Sequence, residues 1–477
     1  MFTKLYVHNF RAVGPAPVEL ELRPLTVLVG ENGCGKSSVL ESLALTAQSG
    51  VEDTNRNELV LSGSRFEYAV DSALRGESRF REIYFLKDVA RPLAVELEMA
   101  VDESVMRTVG WSEAAPPSSL EEVVTHWPPK RLSYRWTRKG VGDYSEWNHA
   151  VWIDNSSLIS TMIKYTKVSR GGANMEGHFT LGNQSVPVLL RGERVLSDDL
   201  FRAGHLATYA KDERELADEL ERVGDAFKAA LEGVLPLSPL RGYGLMHTDV
   251  GPDVEFVGLH AENTIRMLSS VQRKSRPEFR RLEAWAERFG LPTALPGWAG
   301  DNRLKIAFVD PVTKGPMELC DAASGSKQCL VLAAQLLLTK PGSTLLLEEP
   351  ENNLHPRFEK LLPELFAESI ASGHQILAST HSEVLIAALG NAVRKGLLRP
   401  DQVAIWHLTR DAEGIHPHEV RVSDKGYLDG WIESFSKVEQ ELFDEWAEGL
   451  PEVGDETGRG HARAGTSVGG TKRKRRE

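Results

Sequence analysis

Three cysteines in 477 residues are too few and too scattered to build a fold on. Cys34, Cys320 and Cys329 share no framework spacing, which excludes a disulfide scaffold and a zinc set of paired thiolates. Long apolar runs are missing too. No stretch approaches the ~18 residues that span a bilayer, and the N-terminus enters a strand-like run instead of a charged-then-apolar leader. A soluble, cytoplasmic protein that neither spans nor anchors to a membrane is expected. An excess of basic charge is also absent. The formal net charge of −12 argues against a chain coated in nucleic acid, whose phosphates are held mainly by Lys and Arg. There are two local exceptions. Lys130-Arg131-Leu132-Ser133-Tyr134-Arg135-Trp136-Thr137-Arg138-Lys139 interleaves cations with aromatics, as a nucleic-acid surface would, and equally as a half-exposed strand with one cationic face would. Arg273-Lys274-Ser275-Arg276 with Arg280-Arg281 reads as the polar face of a helix that buries Phe279, Leu282, Trp285 and Phe289.

Against these absences stands Gly30-Glu31-Asn32-Gly33-Cys34-Gly35-Lys36-Ser37, which fits the pattern of four free positions between a Gly and Gly-Lys-Ser/Thr. The apolar run Leu25–Val29 leads into it and the periodic Ser38–Leu45 follows, so the loop lies between a buried strand and a helix. Gly30, Gly33 and Gly35 permit a tight turn that aims successive amides, from Asn32 and Cys34 through Ser38, at the phosphates of a nucleoside triphosphate. Lys36 supplies a point charge to the β and γ phosphates, and Ser37 a hydroxyl to magnesium. Cys34, at the helix start, is either a thiol of lowered pKa or a small residue tolerated there.

The second half supplies the complement. Thr344–Pro350 is a hydrophobic strand ending in two carboxylates, of which Glu348 is assigned to the metal and Glu349 to an attacking water. Gln375–Ser382 is another buried strand with His381 at its carboxyl end, where it could contact the γ phosphate or polarise the water. Asp321–Gln328 is small and polar, then turns into the helical run Cys329–Leu338. Ser and Gly at that helix start make an anion site too far from the chain's own phosphate loop to share a phosphate, though a second copy could use it.

These residues resemble the ATP-binding-cassette class of ATPases, and within it the AAA family ATPases of the RecF/SMC/OLD-like group. Asn9-Phe10-Arg11 looks like the group's opening Asn-Phe-Arg, which implies that Arg11 faces nucleotide. Gly30–Ser38 is similar to the Walker A loop, and Ser324-Gly325 with Gln328 to the signature that caps a partner's ATP. Glu348–Pro356 resembles Walker B and its adjoining loop, Thr380-His381-Ser382 the switch histidine, and Pro239-Leu240-Arg241 with Val250-Gly251-Pro252 a segment typical of the OLD-like and related subgroup. Two positions depart from the pattern: Glu348 replaces the usual Asp, and Ser326 stands where many relatives have a second Gly. The combination of a Glu-Gly strand with an Asp-X-Asp pair, which marks the Toprim nuclease domain of some OLD-like relatives, does not occur after His381.

The resemblance implies an α/β fold: an ABC-type P-loop NTPase head, a mixed sheet flanked by an antiparallel one, with an inserted, largely helical lid or arm. It implies ATP and Mg2+ as cofactors, hydrolysis by Glu349, His381 and Lys36, and a homodimer or higher homo-oligomer formed through shared ATP sites. A separate effector protein is expected, in DNA maintenance or anti-phage defence, with nucleic acid as one possible ligand. The alternative is an ATP-dependent scaffold that controls a protein partner.

The expected layout is an N-terminal lobe over 1–160, whose alternating runs Leu93–Val101, Leu132–Trp136 and Trp147–Ile153 read as the flanking sheet. A helical insert over 161–300 follows, with Leu216, Leu220, Val223, Phe227 and Leu231 at helical spacing. A C-terminal lobe over 301–448 adds a strand at Gln402–Leu408 and a helix at Val438–Trp446. Over 449–477 hydrophobes nearly vanish and the chain closes on the basic run 472–476, read as a disordered tail, either solvated or a tether for an acidic partner.

Overall fold

The computed structural model describes residues 1–51, 83–112, 114–117, 126–141, 144–154, 156–168, 172–181, 184–191, 214–241, 247–292, 294–300, 302–429 and 444. The expected helix at Val438–Trp446, apart from Asp444, and the tail lie outside them.

In chain order the strands are β1 (Phe2–His8), β2 (Val18–Glu21), β3 (Leu25–Val29), β4 (Leu93–Ala100), β5 (Arg131–Val141), β6 (Tyr144–Ile153), β7 (Ser156–Val168), β8 (Gly172–Leu181) and β9 (Gln184–Arg191). They continue with β10 (Val234–Leu237), β11 (Thr248–Asp249), β12 (Leu295–Trp298), β13 (Arg303–Val309), β14 (Pro316–Glu318), β15 (Thr344–Glu348), β16 (Gln375–Thr380), β17 (Val403–Asp411), β18 (Gly414–Val422) and β19 (Leu428–Asp429). The helices are α1 (Lys36–Val51), α2 (Glu103–Val109), α3 (Arg214–Glu232), α4 (Thr264–Lys274), α5 (Arg276–Arg288), α6 (Ser324–Leu338), α7 (Pro356–Glu359), α8 (Leu362–Ala371) and α9 (Glu383–Arg394).

The core is an α/β fold built on a seven-stranded sheet of order β10-β15-β16-β3-β17-β18-β19, parallel from β10 to β17 and antiparallel beyond. Strands β3, β15 and β16 are buried almost throughout because both faces of the sheet are covered. Leu28, Leu346 and Leu377 join one core with Val39, Leu40, Leu43 and Ala44 of α1. The alternate residues Val27, Leu345, Leu347 and Ile376 point to the other side and are equally buried. That same α1 core takes in Leu5, Val7, Val95 and Leu97 of a second, antiparallel sheet of order β2-β1-β4-β5-β6-β7-β8-β9. Helix α1 is thus held between the two sheets, with the phosphate loop at its start. Helix α6 is buried without a break from Gln328 to Leu337, as a helix apolar on every side must be, and packs on α5 and α8. A small sheet joins β11, β12 and β14 to β13.

Two stretches of the expected helical insert behave otherwise. Residues 156–168, 172–181 and 184–191 form β7, β8 and β9, which lengthen the antiparallel sheet, and among the described residues of this stretch helix begins at Arg214. Their alternation is carried by Thr, Ser, Tyr and Lys as much as by aliphatic residues, and Gly182-Asn183 is a two-residue hairpin signal. Helix α3 forms as its spacing predicts, yet its buried face is part of the head: Phe227 packs on Tyr134 of β5 at 5.7 Å, and the following β10 pairs with β15 in the central sheet.

The basic aromatic run is β5, an interior strand between β4 and β6. Tyr134 and Trp136 face inward, where the indole donates to Thr46 Oγ1 at 2.9 Å. On the opposite face Arg131 pairs with Glu98 at 3.3 Å and Arg135 with Glu96, so these two cations are matched by carboxylates of the neighbouring strand. The cluster near 273–281 is helical as expected: Phe279, Leu282, Trp285 and Phe289 are buried, while Arg273 and Lys274 pair with Asp253. Among the described residues no helix is long and apolar enough to cross a membrane.

Candidate functional site

Parallel register brings the predicted motifs to one edge. Val29 lies opposite Thr380, and Ser379 opposite Glu348, so the phosphate loop, the acidic pair and His381 all leave the central sheet at the carboxyl ends of three adjacent strands. The loop turns with Gly33 and Gly35 at φ of +80° and +104°. A Cβ on Gly35 would fall 2.2 Å from Ile415 Cδ1, so both conformation and space demand glycine. Gly35→Ala is expected to destabilise the fold by about 2–4 kcal/mol from left-handed strain plus overpacking, measurable as a lowered urea midpoint.

Lys36 Nζ donates to the carbonyls of Gly30 and Glu31 at 2.7 and 2.9 Å, which holds the ammonium across the loop mouth. Ser37 is exposed, Ser38 half-buried, and Glu31, Asn32 and Gly33 line the open side. Cys34 is buried behind the loop with its sulfur 4.0 Å from the lysine nitrogen. A brace missed at the level of sequence comes from the β17–β18 hairpin: Arg410 donates to Gly33 O at 3.1 Å, and Gly14 and Gly30 approach the backbone of Glu413 and Leu408 so closely that neither could carry a side chain. No sequence signal links segments so far apart.

Arg11 and Asn9 both adopt left-handed backbone, φ +49° and +53°, in the turn after β1. The Arg11 guanidinium pairs with Glu41, which follows Ser37 by one helical turn and shares its face of α1. Glu41 escaped the motif reading, though its i+4 spacing from Ser37 was a usable signal. Burial raises its pKa against the opposing pull of Arg11. Glu348, at the end of β15, has its pKa pushed up to about 7, first by burial, then by the charges of Glu41 and Glu349, with Arg11 acting the other way. Its Oε1 is buried without a hydrogen-bond partner.

Such a carboxylate fits a divalent cation shared with the Ser37 hydroxyl, and Mg2+ asks for few protein ligands. The same shift sets a pH dependence. Because the folded-state pKa exceeds the ordinary glutamate value of 4.5, the folded protein holds the extra proton, and this stability contribution declines as pH rises from about 4.5 to about 7. Glu348→Gln should therefore make the nucleotide-free protein more stable than wild type at pH 8, by at most ~3 kcal/mol, and leave the two alike near pH 4. Thermal melts at the two pH values measure this.

Glu349 follows at φ +44°, its amide donating to Ser379 O at 3.0 Å. His381 Nδ1 lies 3.8 Å from a Glu349 oxygen and 3.7 Å from Glu351, so the two predicted catalytic side chains do meet. Glu351, buried, accepts from Thr380 Oγ1 at 2.6 Å and from the His381 amide at 3.1 Å, and so fixes the histidine turn. At the start of α6 Ser324 is exposed and Gly325 sits against the Asn353 carbonyl, where a Cβ would come within 2.7 Å. Gln328 is different: at 1 % exposure it lies inside its own subunit, away from any surface a second copy could reach. One helical turn carries it from the exposed end of α6 into the core.

With this geometry in place, comparison with known families is specific. Residues 4–114 match the family described as "AAA domain", and residues 241–387 match "AAA domain, putative AbiEii toxin, Type IV TA system". Two segments of the chain thus match AAA-domain families. The first holds the phosphate loop, and the second runs from Arg241 past His381. Among solved structures, the protein is similar to the SMC head bound to the C-winged helix domain of ScpA, at 12% identity and a TM-score of 0.46, covering 88% of this chain and 98% of that one. The Pyrococcus furiosus Smc head with an extended coiled coil, bound to the C-terminal domain of ScpA, aligns at 12% identity and a TM-score of 0.40, over 93% and 99% of the two chains. The SMC head from Thermotoga maritima aligns at 12% and 0.35, over 88% and 99%. No curated protein matches by sequence.

Proposed function

We propose that the protein binds ATP and hydrolyses it slowly or under a partner's control, as a cytoplasmic homodimer with ATP held between the phosphate loop of one subunit and Ser324-Gly325 of the other. The observation that carries this reading is the convergence of the phosphate loop, Glu348, Glu349 and His381 on one sheet edge. Lys36 trades its two loop carbonyls for β and γ phosphate oxygens. Glu349 accepts a hydrogen bond from the attacking water and orients it in line, with His381 beside it as γ-phosphate sensor. Ser37 and Glu348 would hold Mg2+, which would supply charge neutralisation at the triphosphate.

Nucleotide-driven closure is the working output. It serves either a DNA-maintenance or anti-phage system with a separate effector, or a scaffold that controls a protein partner. The ion pairing of Arg131 and Arg135 within the sheet favours the second. Steady-state ATP turnover of wild type and Glu349→Gln, with and without double-stranded DNA, tests both. Glu349-dependent turnover indifferent to DNA supports the scaffold, stimulation by DNA supports the first output, and absence of turnover under all conditions points to a missing activator or a structural subunit.

A further inference from the structure

Arg241 is the largest fully buried side chain in the described residues, 1 % exposed, and a buried guanidinium with no carboxylate directly paired to it requires an explanation. Its hydrogen bonds go to backbone instead. Nη1 donates to the carbonyls of Ser238, Glu348 and Glu349 at 3.4, 3.3 and 3.3 Å, and Nη2 to Pro350 O at 2.7 Å. Three of these acceptors are consecutive residues at the end of β15, where the chain must leave the sheet through the left-handed backbone of Glu349. A non-glycine residue at φ +44° is held there only if its surroundings impose it. A planar fork meeting three successive carbonyls is such a constraint, and Asn352 Nδ2 adds a second tie by donating to Pro239 O at 3.3 Å.

We infer that Arg241 is a positioning residue of the site: by gripping the carbonyls of Glu348, Glu349 and Pro350 it fixes the turn that aims the Glu349 carboxylate toward His381 and the reacting water. This rests on the reading of Glu349 as the water-orienting acid. The cost of burying the cation is visible in its own equilibrium, since burial lowers its pKa to about 10 against the pull of Glu351, Cys329 and Glu349. A lysine keeps the charge but is a point donor that cannot span the three carbonyls.

Arg241→Lys should lower kcat by roughly 10–100-fold, the scale of an ångström-sized misplacement, while KM and the affinity for a non-hydrolysable ATP analogue stay within about threefold of wild type. Amides that close the turn, those of Glu349, Asn352 and Leu354, should exchange with deuterium faster, and the phosphate-loop helix should not. An unchanged kcat, or a loss of analogue affinity in proportion to kcat, overturns the assignment. If the lysine variant does not fold, Asn352→Ala releases the same turn without a buried charge and must lower kcat at unchanged KM; wild-type kcat there overturns it equally. Glu349→Gln, run in parallel, separates the two readings. If that variant turns over normally, the role of Glu349 fails whatever Arg241 does, and if only Glu349→Gln is impaired, Arg241 alone is excluded.

Discussion

Replacing Glu349 by Gln should lower ATP turnover roughly 100-fold or more while ATP still binds, because the amide keeps the size of the side chain but removes the acceptor charge that orients water. The backbone around it does not depend on that charge. The amide of Glu349 is held by Ser379 and its carbonyl by Arg241, so the backbone turn should persist. With hydrolysis blocked, the nucleotide-bound dimer should accumulate, visible in light scattering as a doubled mass that needs both ATP and Mg2+. Normal turnover in this variant would remove Glu349 from the mechanism and shift attention to the neighbouring Glu348 or Glu351.

Lys36→Ala is expected to act earlier, on binding. The ammonium now bridges Gly30 and Glu31 carbonyls, and in the complex it meets phosphate oxygens, where charged hydrogen bonds are worth about 1.5–3 kcal/mol each. Losing two of them weakens affinity by about 100-fold to 1,000-fold or more. In a thermal-shift titration, millimolar ATP should raise the melting temperature of wild type and leave Lys36→Ala unmoved, since ligand stabilisation follows the logarithm of occupancy. An equal shift in both proteins would sink the phosphate-loop assignment. The apo melting temperature serves as control, because the replaced side chain ties only loop carbonyls.

The parts of this site that were legible in sequence are those whose chemistry dictates residue type over a short span. Gly33 and Gly35 had to be glycine, and the runs around β3, β15 and β16 had to be largely apolar because both faces of a parallel sheet are covered. The role of Arg241 was not legible, since its partners are carbonyls, which every residue has. Glu41 was hidden in a helix that reads as a plain amphipathic segment until Arg11 is placed beside it. Strands β7 to β9 escaped because their Lys, Thr and Ser residues blur the alternation on which strand recognition rests. Helix α3 was legible as a helix but its address was not: helical spacing identifies a buried face and says nothing about what covers it.

Strand β3, which launches the phosphate loop, lies between β16 and β17, and the loop is gripped from outside by residues 408–415. On the ribosome, therefore, the nucleotide pocket is written first and finished last. After α1 has been synthesised, β3 has both hydrogen-bonding edges open until residues near 375 and then 403 emerge, a separation that makes closing the sheet a slow, non-local step. A nascent chain halted before β17 would carry every residue of the Gly-Lys-Ser motif and yet lack the neighbour that shapes it. Nucleotide capture by this protein thus reports that translation has passed the hairpin, and two separately expressed halves should bind ATP only after they have found each other.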